Sequence, residues 1–267
     1  MSLHAKPLVE GPSLLVEAQS LGKEYRSGGR TNRVVQDVSF CLYRGETLGL
    51  VGESGSGKST VARMLLRLVE PSMGGVRFDG EDVLAASPQR LRALRRRMQI
   101  VFQDPFAALN PRMRVRQILA EPFAIHRERP AEGLEARLLE MLATVGLDGS
   151  ALERYPHEFS GGQRQRINIA RALALKPEFL VLDEPVSALD VSVGAQVVNL
   201  LRELQRSHQL TYLFISHSMP LVRYLCDRVA VLQRGRLVEI GDALEVCERP
   251  REAYTRELIA ATPELPE

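Results

Sequence analysis

Residues 52–60 read GESGSGKST, a stretch that fits the pattern G-x-x-x-x-G-K-[ST]. The apolar residues 47–51 precede it, and residues 61–69 follow it with apolar side chains at helical spacing. The sequence therefore predicts a strand, a glycine-rich turn and a helix in that order, which is the context this motif requires. Backbone N–H groups of the turn and the N-terminus of the helix would then bind the phosphates of a nucleotide.

Two side chains of this loop predict its chemistry. Lys58 would neutralise the β- and γ-phosphates of ATP, and the Ser59 hydroxyl would bind Mg²⁺. A chance glycine-rich turn is the alternative, and the flanking strand and helix count against it. The residues predicted to surround the phosphates are Gly52, Ser54, Gly55, Ser56, Gly57, Lys58, Ser59 and Thr60.

A second glycine-containing stretch, FSGGQRQR at residues 159–166, stands before a helix predicted from about Gln163 to Leu175. Ser160 is a favourable N-cap residue, and the glycine N–H groups leave the helix N-terminus open to an anion. Arg164 and Arg166 add positive charge. An ordinary capped helix is the alternative for this segment taken alone.

Polar residues follow three predicted strands. Residues 179–184 read FLVLDE, so Asp183 and Glu184 would emerge at the carboxyl edge of a buried sheet. Asp183 would reach Mg²⁺, and Glu184 would polarise the attacking water. Gln103 ends another strand and could touch both metal and water, while His217 could face the γ-phosphate. Solvated acids, a surface glutamine and a structural histidine are the alternatives.

Composition narrows the class of protein. The 267 residues are 45% hydrophobic with a net charge of +2, which supports a sizeable core and does not point to nucleic acid. The basic run at 90–97 is predicted to be a solvated helix face, with phosphate or lipid contact as the alternative. No apolar run approaches the roughly 18 residues of a membrane span, and the N-terminus lacks a signal-peptide pattern. We therefore expect a soluble, cytosolic protein.

The three cysteines give no metal-binding spacing, so neither a disulfide framework nor a cysteine metal site is expected. They are Cys41, Cys226 and Cys247.

The pattern along the chain predicts an α/β fold, a P-loop NTPase core with an antiparallel β subdomain and an inserted α-helical subdomain. Strands are predicted at 14–18 and 33–40 around a loop at 27–30, and a hairpin at 228–240 turns at Arg234-Gly235. We assign residues 12–103 and 176–245 to the core and antiparallel β part. Residues 104–175 form the helical subdomain, and 246–267 are a C-terminal tail whose last five residues are expected to fray.

Together these stretches resemble the ATPase subunit of an ATP-binding cassette (ABC) transporter. Tyr25, the phosphate loop, Gln103, the FSGGQ signature, FLVLDE, residues 187–190 (SALD) and His217 stand in the order of that family. The resemblance implies that Tyr25 stacks on adenine and that Asp190 joins the nucleotide-binding set. It also implies that Ser160, Gly161, Gly162 and Gln163 meet the ATP held by an opposite subunit. Two ATPs would then be buried in a head-to-tail dimer.

A finer resemblance is to the ATPases of dipeptide, oligopeptide and nickel importers. It is carried by VFQDPFAALNPRMRVRQILAEP at 101–122, YPHEFSGGQRQRINIARAL at 155–173, EPVSALDVSV at 184–193 and AYTRELIAATP at 253–263. It implies a second ATPase subunit, identical or different, two membrane permease subunits and, indirectly, an extracytoplasmic binding protein. The chain would lie at the cytoplasmic face of the inner or plasma membrane, held there by the permeases.

Two further expectations accompany this resemblance. Only Cys247 lies near the region where some of these ATPases carry a cysteine cluster, so no iron–sulfur centre is predicted. Ser218 follows His217 where aspartate is usual, which leaves the local support of His217 open. The alternative function is a soluble ABC ATPase attached to an enzyme complex such as carbon–phosphorus lyase.

Overall fold

The computed structural model describes residues 13–27 and 30–261. Its strands are β1 (Leu14–Ser27), β2 (Arg30–Tyr43), β3 (Thr47–Val51), β4 (Met73–Phe78), β5 (Glu81–Asp82), β6 (Met98–Val101), β7 (Phe179–Asp183), β8 (Thr211–Ile215), β9 (Arg228–Gln233) and β10 (Arg236–Asp242). Its helices are α1 (Lys58–Leu65), α2 (Pro88–Arg97), α3 (Pro105–Ala108), α4 (Val115–His126), α5 (Leu134–Thr144), α6 (Gly161–Leu173), α7 (Val191–His208), α8 (Met219–Leu225), α9 (Ala243–Glu248) and α10 (Ala253–Ala260). Two short 3₁₀ helices lie at Gly149–Glu153 and Pro156–Glu158.

A six-stranded sheet forms the centre of the core, in the order β10-β9-β3-β8-β7-β6. All neighbouring strands are parallel except β10, which runs antiparallel to β9. Every residue of β3, β7 and β8 is buried, as expected for parallel strands that are covered on both faces. The carboxyl ends of β3, β6, β7 and β8 therefore share one edge of the sheet, and the residues predicted to be catalytic follow those ends.

A second, antiparallel sheet has the order β2-β1-β4-β5 and confirms the predicted antiparallel part. Its first two strands are 14 residues each, far longer than the predicted 14–18 and 33–40. Ser20 and Asp37 take left-handed backbone angles (φ 45° and 54°), and the register shifts several times along the pair. These bulges interrupt the alternation of side chains, which is why the sequence pattern underestimates the strands. Residues 28–29 of the predicted loop lie outside the described residues.

The hairpin of β9 and β10 confirms the predicted turn. Arg234 and Gly235 both have positive φ (47° and 80°), as a two-residue turn of this hand requires. A Cβ at Gly235 would lie 2.4 Å from the carbonyl oxygen of Val34, so only glycine lets β2 approach the turn this closely. The Gln36 N–H donates to the Gly235 carbonyl at 2.7 Å, which joins the two sheets.

Helices α3 to α6 follow one another between β6 and β7, as the pattern of residues 104–175 predicts. Apolar side chains of α4, α5 and α6 belong to the same buried cluster as β7 and α7. Helix α5 ends at Thr144, just before Gly146 (φ 70°), in agreement with the predicted stop. Helix α6 begins at Gly161, two residues before the predicted start, because Ser160 caps it. Within 13–27 and 30–261, no helix combines the length and hydropathy needed to cross a membrane.

The basic run at 90–97 lies in helix α2, as predicted, but some of its arginines form ion pairs with carboxylates. Arg97 donates to the carboxylates of Asp79 and Glu178, and Arg44 donates to the same two carboxylates. This ring of four charges links the antiparallel sheet, α2 and the start of β7. Hydrogen bonds from Arg97 and Arg44 hold the pKa of Glu178 below its usual range, although burial acts in the opposite direction.

Candidate nucleotide-binding and catalytic site

The glycine-rich loop joins β3 to α1 and has the backbone that the sequence predicts. Gly52, Gly55 and Gly57 have φ of 147°, 77° and 106°, angles that other residues rarely adopt. A Cβ at Gly52 would stand 2.1 Å from the carbonyl oxygen of Leu232, so the loop could not pass this strand with a larger residue. Helix α1 has no side-chain cap at Gly57, which leaves its first N–H groups available to an anion.

Lys58 is buried at the base of this loop. Its ammonium donates to the carbonyls of Gly52 and Glu53, both at 2.8 Å. Burial lowers the pKa of Lys58, and the neighbouring carboxylates of Glu184, Asp183 and Glu53 act against that shift. Because both hydrogen-bond acceptors of the ammonium are neutral carbonyls, Lys58 can exchange them for phosphate oxygens, to which its hydrogen bonds would be stronger.

Ser59 and Asp183 meet across the end of the sheet. The Ser59 hydroxyl donates to Asp183 Oδ1 at 2.8 Å, and Asp183 is only 2% exposed. Burial raises the pKa of Asp183, while the Ser59 hydrogen bond lowers it. A hydroxyl and a carboxylate are oxygen ligands of the kind that Mg²⁺ prefers, so this donor pair fits the predicted metal. Within residues 13–27 and 30–261, no group of three or more His, Cys, Asp and Glu side chains is placed so that it could hold a metal ion by itself.

Two strand-end side chains approach one carboxylate oxygen of a third strand-end residue, Glu184. Gln103, after β6, donates its amide to Glu184 Oε2 at 2.9 Å, and His217 Nδ1, after β8, lies 3.7 Å from the same oxygen. Glu184 follows β7 with a left-handed backbone (φ 47°), a strained angle for a non-glycine residue. Its N–H donates to the Ile215 carbonyl at 3.1 Å, which holds this angle in place. The geometry brings together the three residues that the sequence placed at separate strand ends.

The turn after β8 shows what supports His217 locally. The backbone N–H of Ser218 donates to Ser216 Oγ at 3.0 Å, so the Ser216 side chain stabilises the turn that carries His217. Ser218 is also the N-cap residue of α8, without a side-chain hydrogen bond.

The remaining loop residues differ in exposure. Ser54 and Gly55 are exposed, Ser56 is buried, and Thr60 is half-buried in the first turn of α1. Ser56 Oγ has no hydrogen-bond partner among the described residues.

The signature segment forms the N-terminus of α6. Ser160 Oγ accepts from the Gln163 N–H at 3.3 Å, and Gln163 Oε1 accepts from the Ser160 N–H at 3.0 Å, a reciprocal capping box. Ser160 and Gln163 are exposed, whereas Gly162 packs so closely on α7 that a Cβ would lie 2.2 Å from Val193 Cγ1. Among the described residues, no hydrogen bond or ion pair joins Ser160, Gly161, Gly162 or Gln163 to the phosphate loop.

Both arginines of the signature are used within the subunit. Arg164 Nε donates to the Pro156 carbonyl at 2.7 Å, and its guanidinium lies 4.0 Å from the centre of the Phe106 ring. Arg166 donates to the Val145 carbonyl at 2.7 Å. These bonds orient the helical segment, a role that the sequence did not predict.

Two further residues are suggested by the family resemblance, and one of them, Asp190, lines the same pocket as Glu184 and His217. Tyr25, on β1, is 45% exposed, with Lys23 Nζ 5.1 Å from its ring centre. Asp190 is the N-cap residue of α7 and accepts from the Val193 N–H and the Ser192 hydroxyl, each at 2.9 Å. These hydrogen bonds lower the pKa of Asp190.

Sequence reasoning missed one contact of the loop. The hydroxyl of Tyr254, on α10, accepts a hydrogen bond from the Glu53 N–H at 3.2 Å. The string that contains Tyr254 contributed only to the family resemblance, and nothing in its local pattern points to the loop.

A buried lysine in a glycine-rich loop, a serine–aspartate pair and a strand-end glutamate define a P-loop nucleotide hydrolase. Within that class, the inserted helical segment with the signature at the N-terminus of α6 distinguishes one family. A model of the ABC transporter family matches residues 35–187. The chain therefore belongs to the ABC transporter family, as its ATP-hydrolysing cassette.

Relatives and solved structures agree with this assignment. A Brucella ovis protein named for peptide import and ATP binding is 53% identical over 250 residues, covering 93% of this chain and 78% of the relative. The oligopeptide transport ATP-binding protein OppF of Bacillus subtilis is 51% identical over 251 residues, 93% of this chain and 82% of that protein. The ATP-binding cassette MJ0796, a dimer in a post-hydrolysis state with ADP and Pi, superposes with a TM-score of 0.77 at 28% identity, covering 86% of this chain and 99% of the other. The cbiO1 subunit of Clostridium perfringens, part of the cbiONQ transporter complex, gives 0.78 at 28% identity, covering 89% and 92%.

Proposed function

We propose that this ATPase drives an ABC importer for peptides or for nickel and other metal chelates. The observation that carries the proposal is about 50% identity, over nine-tenths of the chain, to proteins named for peptide and oligopeptide import. Those names give no support to the alternative of a soluble ATPase attached to a metabolic enzyme complex. Peptides are therefore the cargo class that we test first.

At the catalytic centre, Glu184 acts as general base. Its carboxylate accepts a proton from the attacking water, which adds to the γ-phosphorus while the bond to the leaving oxygen of ADP breaks. Gln103 and His217 orient the carboxylate and contact the water or the γ-phosphate. The geometry that supports these roles is the convergence on Glu184 Oε2, at 2.9 Å from Gln103 and 3.7 Å from His217.

The phosphate loop supplies the electrostatic part. Lys58 leaves its two carbonyl partners for the β- and γ-phosphates, and the N–H groups of residues 52–60 surround them. Ser59 and Asp183, with Gln103, hold Mg²⁺, which when bound neutralises charge on the phosphate oxygens. The 2.8 Å bond between Ser59 and Asp183 supports the assignment of these two ligands.

A second ATPase subunit, identical or different, completes the site. Exposed Ser160 and Gln163, with Gly161 and Gly162, present the N-terminus of the 13-residue helix α6 to the ATP of that partner. Tyr25 stacks on adenine, and Asp190 contacts the nucleotide of the closed dimer. The exposed position of Tyr25 supports its part in this proposal.

Two membrane permeases hold the ATPase at the cytoplasmic face of the membrane, and an extracytoplasmic binding protein delivers cargo to them. Residues 104–175, the proposed helical subdomain, receive the permeases beside Gln103. Phe106, 57% exposed at the start of this segment, supports a docking surface there. Residues 12–103 and 176–245 are the proposed core and antiparallel part, followed by the tail at 246–267.

Affinity purification from gently solubilised membranes of the native cell tests the importer. Two polytopic permeases and a second ATPase, identified by mass spectrometry, would support it. A wholly soluble complex with metabolic enzymes would overturn transport and leave the ATPase chemistry intact.

A matched pair of variants extends this test to cargo. Glu184→Gln should retain the permeases but abolish uptake of labelled peptides, whereas the exposed Glu203→Gln on α7 should leave both unchanged. Loss of nickel-chelate uptake alone would replace peptides by metal chelates as the cargo.

A further inference from the structure

The C-terminal helix α10 reaches the phosphate loop through one side chain. Tyr254 is 9% exposed and belongs to the same buried cluster as β7 and α7. Its hydroxyl accepts a hydrogen bond from the backbone N–H of Glu53 at 3.2 Å, across 201 residues of sequence. The contact therefore joins the end of the chain to the loop that follows β3.

The bonded N–H belongs to a peptide that Lys58 also holds. The carbonyl of the peptide between Gly52 and Glu53 accepts from Lys58 Nζ at 2.8 Å, and its N–H donates to Tyr254. The two groups point in opposite directions because the peptide is trans. This peptide is thus fixed from both sides, by the proposed phosphate-binding ammonium and by the tyrosine.

External restraint matters here because the backbone provides little of its own. Gly52 has φ 147° and no side chain, so rotation of this peptide meets a smaller steric barrier than at other residues. When Lys58 moves from the carbonyl to a phosphate, the Tyr254 hydrogen bond is the one that still sets the orientation of the peptide. Loss of that bond would let the loop sample other orientations before it binds.

Helix α10 is itself held firmly on the core. The Glu239 carboxylate, on β10, accepts from the N–H groups of Arg251 and Glu252 at 2.9 and 3.2 Å, immediately before the helix begins. Arg256 donates to the Pro250 and Arg251 carbonyls, both at 3.0 Å, and Thr255 is fully buried. Tyr254 therefore presents its hydroxyl from a fixed support.

We infer that Tyr254 is a positioning residue of the phosphate loop, which orients the peptide between Gly52 and Glu53 for nucleotide binding. This inference rests on the proposed role of residues 52–60. Helix α10 would then contribute directly to nucleotide affinity. The roles proposed for the catalytic residues would not change.

Tyr254→Phe tests the hydroxyl and keeps the packing of the ring. We expect the Kd of ATP and ADP, and the KM for ATP, to rise about two- to tenfold, the range that one neutral hydrogen bond accounts for. The kcat should stay within about twofold, because the groups at Glu184 are untouched. A purely structural role would instead lower Tm and the active fraction, and so kcat, with KM unchanged, which would overturn the inference.

Tyr224→Phe is the matched control. Its hydroxyl, on α8, donates to Asn199 Oδ1 at 2.7 Å, and the side chain is 46% exposed. This variant should leave Kd, KM and kcat unchanged. An equal loss of affinity in both variants would show a general effect of hydroxyl removal and overturn the inference.

One more variant separates the inference from the proposal on which it rests. Lys58→Ala should weaken nucleotide binding; unchanged Kd there would reject the phosphate-loop role itself. If Lys58→Ala weakens binding and Tyr254→Phe does not, the inference alone fails.

Discussion

Replacing Glu184 by glutamine removes the negative charge at the point where Gln103 and His217 converge. Glutamine has the same shape and can still present an oxygen to the Gln103 amide, now 2.9 Å from Glu184 Oε2. The substitution therefore removes the proton acceptor without removing the hydrogen bond. We expect nucleotide binding to remain and hydrolysis to fail.

The expected loss of turnover follows from the proposed role of Glu184 as general base. A positioned general base contributes about 10²- to 10⁴-fold to a rate, which corresponds to about 3–5.5 kcal/mol in the activation free energy. The Kd of ATP should change by no more than about fivefold, because even complete loss of the one hydrogen bond at stake would cost only about 1 kcal/mol. Turnover should thus fall by at least about 20-fold more than affinity.

Phosphate release under steady state and calorimetric titration with ATP measure the two quantities on the same preparation. Size-exclusion chromatography with ATP should also show a trapped dimer of the Glu184→Gln variant. Glu203→Gln, an exposed carboxylate on α7, should behave as wild type. A hydrolysis rate of Glu184→Gln equal to wild type would remove Glu184 from the base role.

Three further predictions concern the metal pair, the signature and the ring of charges. Ser59→Ala should raise the Mg²⁺ concentration needed for half-maximal ATPase activity about tenfold, because it removes one oxygen ligand and leaves the buried Asp183 carboxylate without its hydrogen bond. Gly162→Ala should lower the free energy of unfolding by about 1–3 kcal/mol, measured by urea titration, because the new methyl group overlaps Val193. Thermal stability should fall on acidification through the folded-state pKa of Glu178, and this fall should be smaller in Glu178→Gln, as followed by calorimetry against pH.

The sign of the pH effect follows from the lowered pKa of Glu178. A carboxylate whose pKa is lower in the folded state stabilises the protein above the unfolded-state pKa, and that contribution disappears as the pH falls. A glutamine there has no charge to lose, so an identical pH profile in the variant would contradict the reasoning.

Each of the other two predictions has its own control. Gly75→Ala serves for the signature glycine, because a Cβ there meets only Gln19 Oε1 at 3.6 Å. Equal destabilisation of both glycine variants would remove the overlap as the cause. An unchanged Mg²⁺ requirement in Ser59→Ala would remove that hydroxyl from the metal ligands.

The sequence predicted the parts of the site that depend on contiguous residues or on the common edge of a parallel sheet. The phosphate loop is one uninterrupted string between a buried strand and a helix. The meeting of Gln103, Glu184 and His217 follows because the carboxyl ends of β6, β7 and β8 share an edge. In both cases local pattern and one topological rule are sufficient.

Contacts between distant segments could not be predicted in this way. The bond from Glu53 to Tyr254 depends on how α10 lies against the core, and no local periodicity encodes that placement. The same holds for Arg164 and Arg166, whose charges the sequence assigned to anion binding but which donate to backbone carbonyls. Partner choice among long basic side chains is decided by tertiary packing.

One buried hydrogen bond of the signature helix has a mechanical consequence. Gln165 is fully buried in α6, and its amide donates at 2.7 Å to the carbonyl of Pro185, the residue after Glu184. Separating them would leave a buried donor and acceptor unsatisfied, at a cost of about 1–3 kcal/mol each. A rotation of α6 relative to the core would break this hydrogen bond unless the backbone next to Glu184 moved with it. The bond therefore couples the N-terminal segment of α6, proposed to meet the ATP of a partner, to the proposed general base of this subunit's own site.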